Sequence, residues 1–134
     1  MAMYEMKPEY YTGIEFIDNE HKKLFEIANK VYELLMNEFI PDKYDYILEV
    51  VNELKDYAKY HFEHEEEYMS SIKYRKLLSH KVEHDGFIEK ISEYDPDVID
   101  ENQKDILLEL LDFLTTWLVN HILIQDKLIA EQLK

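Results

Sequence analysis

The sequence predicts an all-α protein: an up-down-up-down four-helix bundle preceded by an extended N-terminal arm. Three observations carry this reading. Apolar residues recur at three- and four-residue steps in four long segments totalling roughly 105 residues, far above the usual third of a chain in helix. The 134 residues include only two glycines and three prolines, too few for a turn-rich β fold. The links between segments are short, which makes neighbours antiparallel.

Residues 1–17 show no helical periodicity. They are read as an arm crossing the bundle, anchored by Tyr10, Tyr11, Ile14, Phe16 or Ile17. The first helix is expected from about Asp18, as N-cap, to Glu38, with Leu24, Phe25, Ala28, Val31, Tyr32 and Leu35 on one face. Pro41 then breaks the chain. The second helix is expected from about Asp42 to Ile72, with Ile47, Val50, Leu54, Ala58, His61, Glu65 and Met69 on its inner stripe. The third runs from about Tyr74 to Tyr94, with Leu77, His80, His84, Phe87 and Ile91 at helical spacing, and Asp95-Pro96-Asp97 ends it as a turn. Gly86 within it costs about 1 kcal/mol against alanine, and a close helix approach would be its structural use. The fourth spans about Glu101 to Leu133, with Leu107, Leu110, Leu114, Leu118, His121, Ile122 and Leu128 lining one side.

Composition excludes several functions. There is no cysteine, so disulfides, thiolate metal sites and cysteine nucleophiles are ruled out. The net charge of −15 repels phosphate backbones and anionic lipid, so no nucleic-acid partner is expected. Residues 106–124 are the most apolar stretch, but Glu109, Asp112, Asn120 and His121 interrupt it. A buried helix explains it better than a membrane span. The N-terminus lacks a basic region followed by an apolar stretch, so the expected location is cytoplasmic.

The histidines are the informative residues. Of six, His21, His61, His80, His84 and His121 fall on apolar stripes spread over all four helices. One histidine on such a face is ordinarily a hydrogen-bonded core residue. Five must each find a partner or lose on the order of 1–3 kcal/mol apiece, and a metal ion satisfies several at once. His61 and Glu65 are four residues apart, as are His80 and His84, so each pair shares a helix face. Imidazole and carboxylate donors suit Fe, Zn, Mn or Cu. The donors exceed what one tetrahedral ion needs, so either two ions or one octahedral ion with spares fits. His64 falls at the stripe's edge and is read as a surface residue, and Glu63, Glu66 and Glu67 as a solvated face. Tyr57 and Tyr68 are read as core or rim packing.

The segments GIEFIDNEHKKLF (13–25), HFEHEEEYM (61–69), HKVEH (80–84) and WLVNHILIQD (117–126) resemble the hemerythrin family, in particular its short single-domain bacterial members. The resemblance runs from Gly13 to about Leu133, so residues 1–134 are read as a single hemerythrin-like domain. It implies two non-haem iron ions with a bridging oxo or hydroxo group and O2 as ligand. His80, His84 and His121 would ligate one iron, His21 and His61 the other, and Glu65 and Asp126 would bridge them. Spacing alone does not nominate Asp126. Five residues after His121, it lies about 140° around a straight helix, so the site would need a short reach or a local helix distortion. Leu118 and Trp117, three and four residues before His121, are candidates for an O2 pocket, and Ile122 and Phe25 for its apolar wall.

The function so implied is reversible O2 binding for storage, transport or delivery, without enzymatic turnover. The alternatives are a diiron enzyme, either a peroxidase or an O2- or NO-detoxifying protein, and an O2 sensor acting through a separate partner. An O2-using enzyme or an electron donor would be the protein partner, and a monomer or small homo-oligomer the assembly.

Overall fold

The computed structural model describes residues 4–133, so the arm's first three residues and Lys134 lie outside the described residues. A short 3-10 turn at Pro8–Tyr10 precedes α1 (Glu15–Met36), α2 (Tyr44–Ser71) and α3 (Leu77–Ser92). A short α4 (Pro96–Glu101) leads into α5 (Gln103–Asn120), which continues through a π-helical turn (His121–Asp126) into α6 (Lys127–Gln132). These last three form one rod, the bundle's fourth helix. At 28 residues, α2 is about 42 Å long.

Three local readings are corrected. Helix α1 starts three residues earlier than expected, and its N-cap is Ile14, not Asp18. Asp18 sits within the helix, nearly buried, and reaches back to the preceding loop. It accepts from Thr12 N at 2.8 Å, Thr12 Oγ1 at 2.9 Å and Gly13 N at 3.1 Å. Gly13 holds φ +85°, a left-handed conformation that favours glycine, and this turns the arm into α1. The segment after α3 is more than a turn: Asp95 accepts from Val98 N at 3.0 Å and caps α4, with Pro96 at its first position. Gly86 has open space where a Cβ would project, so no close helix approach explains it. Gly86→Ala should raise stability by about 1 kcal/mol, read as a higher denaturation midpoint. A lowered midpoint would show that this face is closed.

The arm is anchored by Tyr10, as expected, and also by Tyr4, which the sequence did not single out, whereas Phe16 and Ile17 belong to α1. Tyr4 Oη donates to Leu111 O at 3.2 Å and lies 2.7 Å from Thr115 Oγ1, while its backbone pairs with the Asn29 amide. Tyr11 remains 40% exposed and is no anchor.

The core is split by a polar layer. The larger apolar cluster holds Leu24, Phe25 and Ala58, one turn from His21 or His61, together with Phe62, Phe87 and Leu118. The smaller one holds Ile17, Met69, Tyr74 and Ile129 on the opposite side of the same layer. His21 lies in the second turn of α1, Glu65 near the end of α2, His80 at the start of α3 and His121 just after the end of α5. Antiparallel helices therefore bring all four to one end of the bundle. By length and composition alone Gln103–Gln132 could cross a membrane, but here it is the bundle's fourth helix and carries core leucines and two polar site residues.

Candidate metal centre

All seven side chains singled out as metal donors meet in the polar layer. His21, His61, Glu65, His80, His84, His121 and Asp126 are each at most 4% exposed. They fall into two overlapping groups. Glu65, His80, His84, His121 and Asp126 form one, and His21, His61, Glu65 and Asp126 the other, with donor atoms within 4.8 Å of one another.

The two carboxylates divide their oxygens between the groups. Glu65 Oε1 is 2.8 Å from His80 Nε2 and 3.2 Å from His84 Nε2, while Oε2 is 3.2 Å from His61 Nε2 and 3.9 Å from His21 Nε2. Asp126 Oδ1 is 2.9 Å from His80 Nε2 and 3.2 Å from His121 Nε2, while Oδ2 is 2.9 Å from His21 Nε2. His121 Nε2 also lies 3.1 Å from His80 Nε2 and 3.2 Å from His84 Nε2.

Asp126 reaches this position because the fourth helix widens. The π-helical turn covers His121–Asp126, and its i→i+5 bonding brings these two residues onto one face. The distortion and not a long reach answers the 140° discrepancy of a straight helix.

The arrangement fits ions better than it fits hydrogen bonding. Glu65 Oε2, both Asp126 oxygens and both His21 nitrogens are buried and make no hydrogen bond. Several of these atoms stand at hydrogen-bond distance, yet off the axis of any ring N–H. Donors that converge on a shared centre have this geometry. Neighbouring ligands on an octahedral ion with bonds of about 2.1 Å are about 3 Å apart, as these nitrogens and oxygens are. Without an ion, the cluster is held by charge. Burial opposes protonation of His61, but the Glu65 charge and the hydrogen bond to Glu20 push its pKa up to about 10. Burial likewise opposes protonation of His80, and the close Asp126 and Glu65 carboxylates push it up to about 9. Burial would raise Asp126, but the His121 charge and the surrounding imidazoles hold it well below the usual carboxylate range.

A ring of supporting residues was not legible in the sequence. Glu20 accepts from His61 Nδ1 at 2.7 Å and from His64 Nδ1 at 2.6 Å. Glu66, expected on a solvated face, instead accepts from His84 Nδ1 at 2.8 Å. Glu83 lies 3.4 Å from His121 Nδ1. Carboxylates on the far ring nitrogen fix the tautomer that presents Nε2 to an ion. His64 is half-exposed and belongs to neither donor group. Tyr57 and Tyr68 pack at the rims of the two apolar clusters.

The pocket candidates separate. Leu118 and Ile122 are buried in the larger apolar cluster with Phe25. Trp117 stacks on the His121 ring at 4.3 Å and lines a surface cavity of about 260 Å³ with Glu83, Asn120 and Gln125. It therefore stands on the three-histidine side, away from His21 and His61.

Residues 12–133 match the family model of the hemerythrin HHE cation binding domain. A bacteriohemerythrin of Clostridium acetobutylicum is 53% identical over 125 residues, 93% of this chain and 97% of that protein. A bacteriohemerythrin of Pseudomonas aeruginosa is 35% identical over 122 residues, 91% of this chain and 76% of that one. The crystal structure of a wild-type hemerythrin shares the fold, with a TM-score of 0.77 and 24% identity over 97% of both chains. This chain belongs to the hemerythrin family.

Proposed function

We propose that the chain binds O2 reversibly at a non-haem diiron centre held by His21, His61, Glu65, His80, His84, His121 and Asp126. The observation that carries this reading is the unequal division of donors. One group offers three imidazoles and two carboxylate oxygens, the other two imidazoles and two carboxylate oxygens. A single bridging oxo or hydroxo group would complete six positions on the first ion and five on the second, so the position open to O2 would lie on the His21/His61 side. When bound, ferrous ions supply the electrons and the coordination position that O2 binding requires.

The residues of the chain do the rest. Glu65 and Asp126, which belong to both donor groups, would hold two ions between them and offset half of their four positive charges, which a buried site needs. Five neutral imidazoles against two carboxylates make a less anionic shell than the Glu-rich sets of ferritin-like diiron proteins. That shell favours the reduced ions and so favours release of O2 over its consumption. Leu24, Phe25, Leu118 and Ile122, all buried in the apolar cluster that borders the polar layer, would limit entry of water and protons.

The test is the visible spectrum of anaerobically reduced, iron-loaded protein before air, after air and after argon purging. A colourless form that gains a charge-transfer band in air and loses it on purging is the expected result. Direct passage to the oxidised form, with no reversible band, would overturn O2 carriage and favour an oxidase or peroxidase.

A further inference from the structure

The two halves of the site differ in how firmly the protein holds their donors. In the three-histidine half, two rings are fixed on both a face and an edge. Phe62 lies parallel to His84, with centroids 4.0 Å apart and planes at 5°, while Glu66 accepts from Nδ1. Trp117 lies parallel to His121 at 4.3 Å and 12°, with Glu83 beside Nδ1. In the other half, Glu20 holds His61. His21 has no such support. Neither of its nitrogens has a hydrogen-bond partner among the described residues, and it meets the His61 ring only edge-on, at 5.0 Å and 72°. In the three-histidine half His80 Nδ1 is likewise unpartnered, so two rings of three are fixed there against one of two here.

A ring held in place before the ion arrives loses no rotamer freedom on binding, so the clamped half binds more tightly for the same donor chemistry. Donor number points the same way, five against four. Shared carboxylates widen the difference. The first ion neutralises Glu65 and Asp126, and the second must enter beside a divalent charge across those same two side chains.

We infer that the three-histidine half is a primary metal site that keeps its ion when the two-histidine half is empty. The centre therefore fills and empties in two separate steps, with the His21/His61 ion last in and first out. This rests on the two-ion reading above and adds a consequence to it. The labile ion is the one with the open position, so a one-ion form retains its metal but has lost O2 binding.

Trp117 is the only tryptophan, and it lies against His121. Its fluorescence therefore reports the primary half. The experiment takes the full chain loaded with Co2+ and withdraws the metal with graded chelator. Ion count is followed by native mass spectrometry and Trp117 emission in parallel. A one-ion species should dominate over at least about a tenfold range of free Co2+, with Trp117 as quenched as in the two-ion protein. Loss of both ions together, or a one-ion species with recovered emission, overturns the inference and leaves the two-ion reading standing. Uptake that saturates below two ions overturns both. Glu66→Ala combined with Glu83→Ala should weaken the primary site by about 10–100-fold and narrow the one-ion range. An unchanged range in that variant also overturns the inference.

Discussion

Glu65→Gln should leave the chain folded but unable to hold two ions at once. Glu65 is fully buried, and its two oxygens face different halves of the site, Oε1 toward His80 and His84, Oε2 toward His61 and His21. Glutamine keeps the shape and removes the charge. It also turns one of the two oxygens into an NH2 group, which cannot ligate. Whichever way the amide points, one half loses its shared oxygen. Two divalent ions would then face Asp126 as the only bridging carboxylate, in a layer sealed by apolar clusters on both sides. Uncompensated charge there costs several kcal/mol. Affinity for the second ion should fall by about a hundredfold or more, while one ion remains on His80, His84, His121 and Asp126. Metal-to-protein ratio and far-ultraviolet circular dichroism, measured on the same sample, check this. Glu63→Gln, at an exposed acid two residues away, should change neither. Two ions retained by Glu65→Gln at unaltered affinity would remove Glu65 from the bridge.

Helical periodicity placed the inner faces of all four bundle helices, because burial imposes the same 3.6-residue repeat on each. Helix ends were less legible. Asp18 looked like a cap by residue type, but a short acid one turn inside a helix can satisfy a preceding loop just as well, and here it does. Tyr4 anchors the arm through its hydroxyl and backbone, which leaves no periodic trace. His61/Glu65 and His80/His84 were legible as ligand pairs because i and i+4 share a face. Asp126 stood out only through family resemblance, since sequence does not announce a π-helical turn. Glu20, Glu66 and Glu83 were invisible for a statistical reason. With 30 acidic residues in 134, an acid near a histidine carries almost no information. Trp117 shares a helix face with His121, but a shared face does not say which half of a two-part site it borders.

Raising the pH above neutral should destabilise the metal-free chain and leave the loaded chain nearly unchanged. Without ions, His61, His80 and His84 are held as cations by the carboxylates around them. The folded pKa of His61 is pushed up to about 10 and that of His80 up to about 9, and His84 is raised as well, its burial outweighed by hydrogen bonds to Glu65 and Glu66. An unfolded histidine titrates near about 6.5, so the folded state binds these protons more tightly. Their contribution to stability is complete below that value and is lost as pH rises through the folded values. Glu65 and Asp126 act with the opposite sign. Burial would raise both, but the neighbouring imidazoles hold them below the usual carboxylate range, so their contribution is present above about pH 4 and lost as pH falls. The metal-free chain should therefore be most stable at mildly acidic pH. With ions on the proposed donors, each Nε2 lone pair would be committed and there would be no imidazolium to lose, so stability should fall only where protons compete with metal, at low pH. Guanidinium midpoints at about pH 6, 8 and 10, with and without metal, separate the two behaviours. A metal-free midpoint that holds steady or rises toward about pH 10 would mean that the folded imidazoles are neutral and that the carboxylates do not hold them as cations. The same linkage sets the cost of loading: at neutral pH each incoming ion must displace protons from His61 or His80, so metal affinity should climb with pH over the range in which the empty chain weakens.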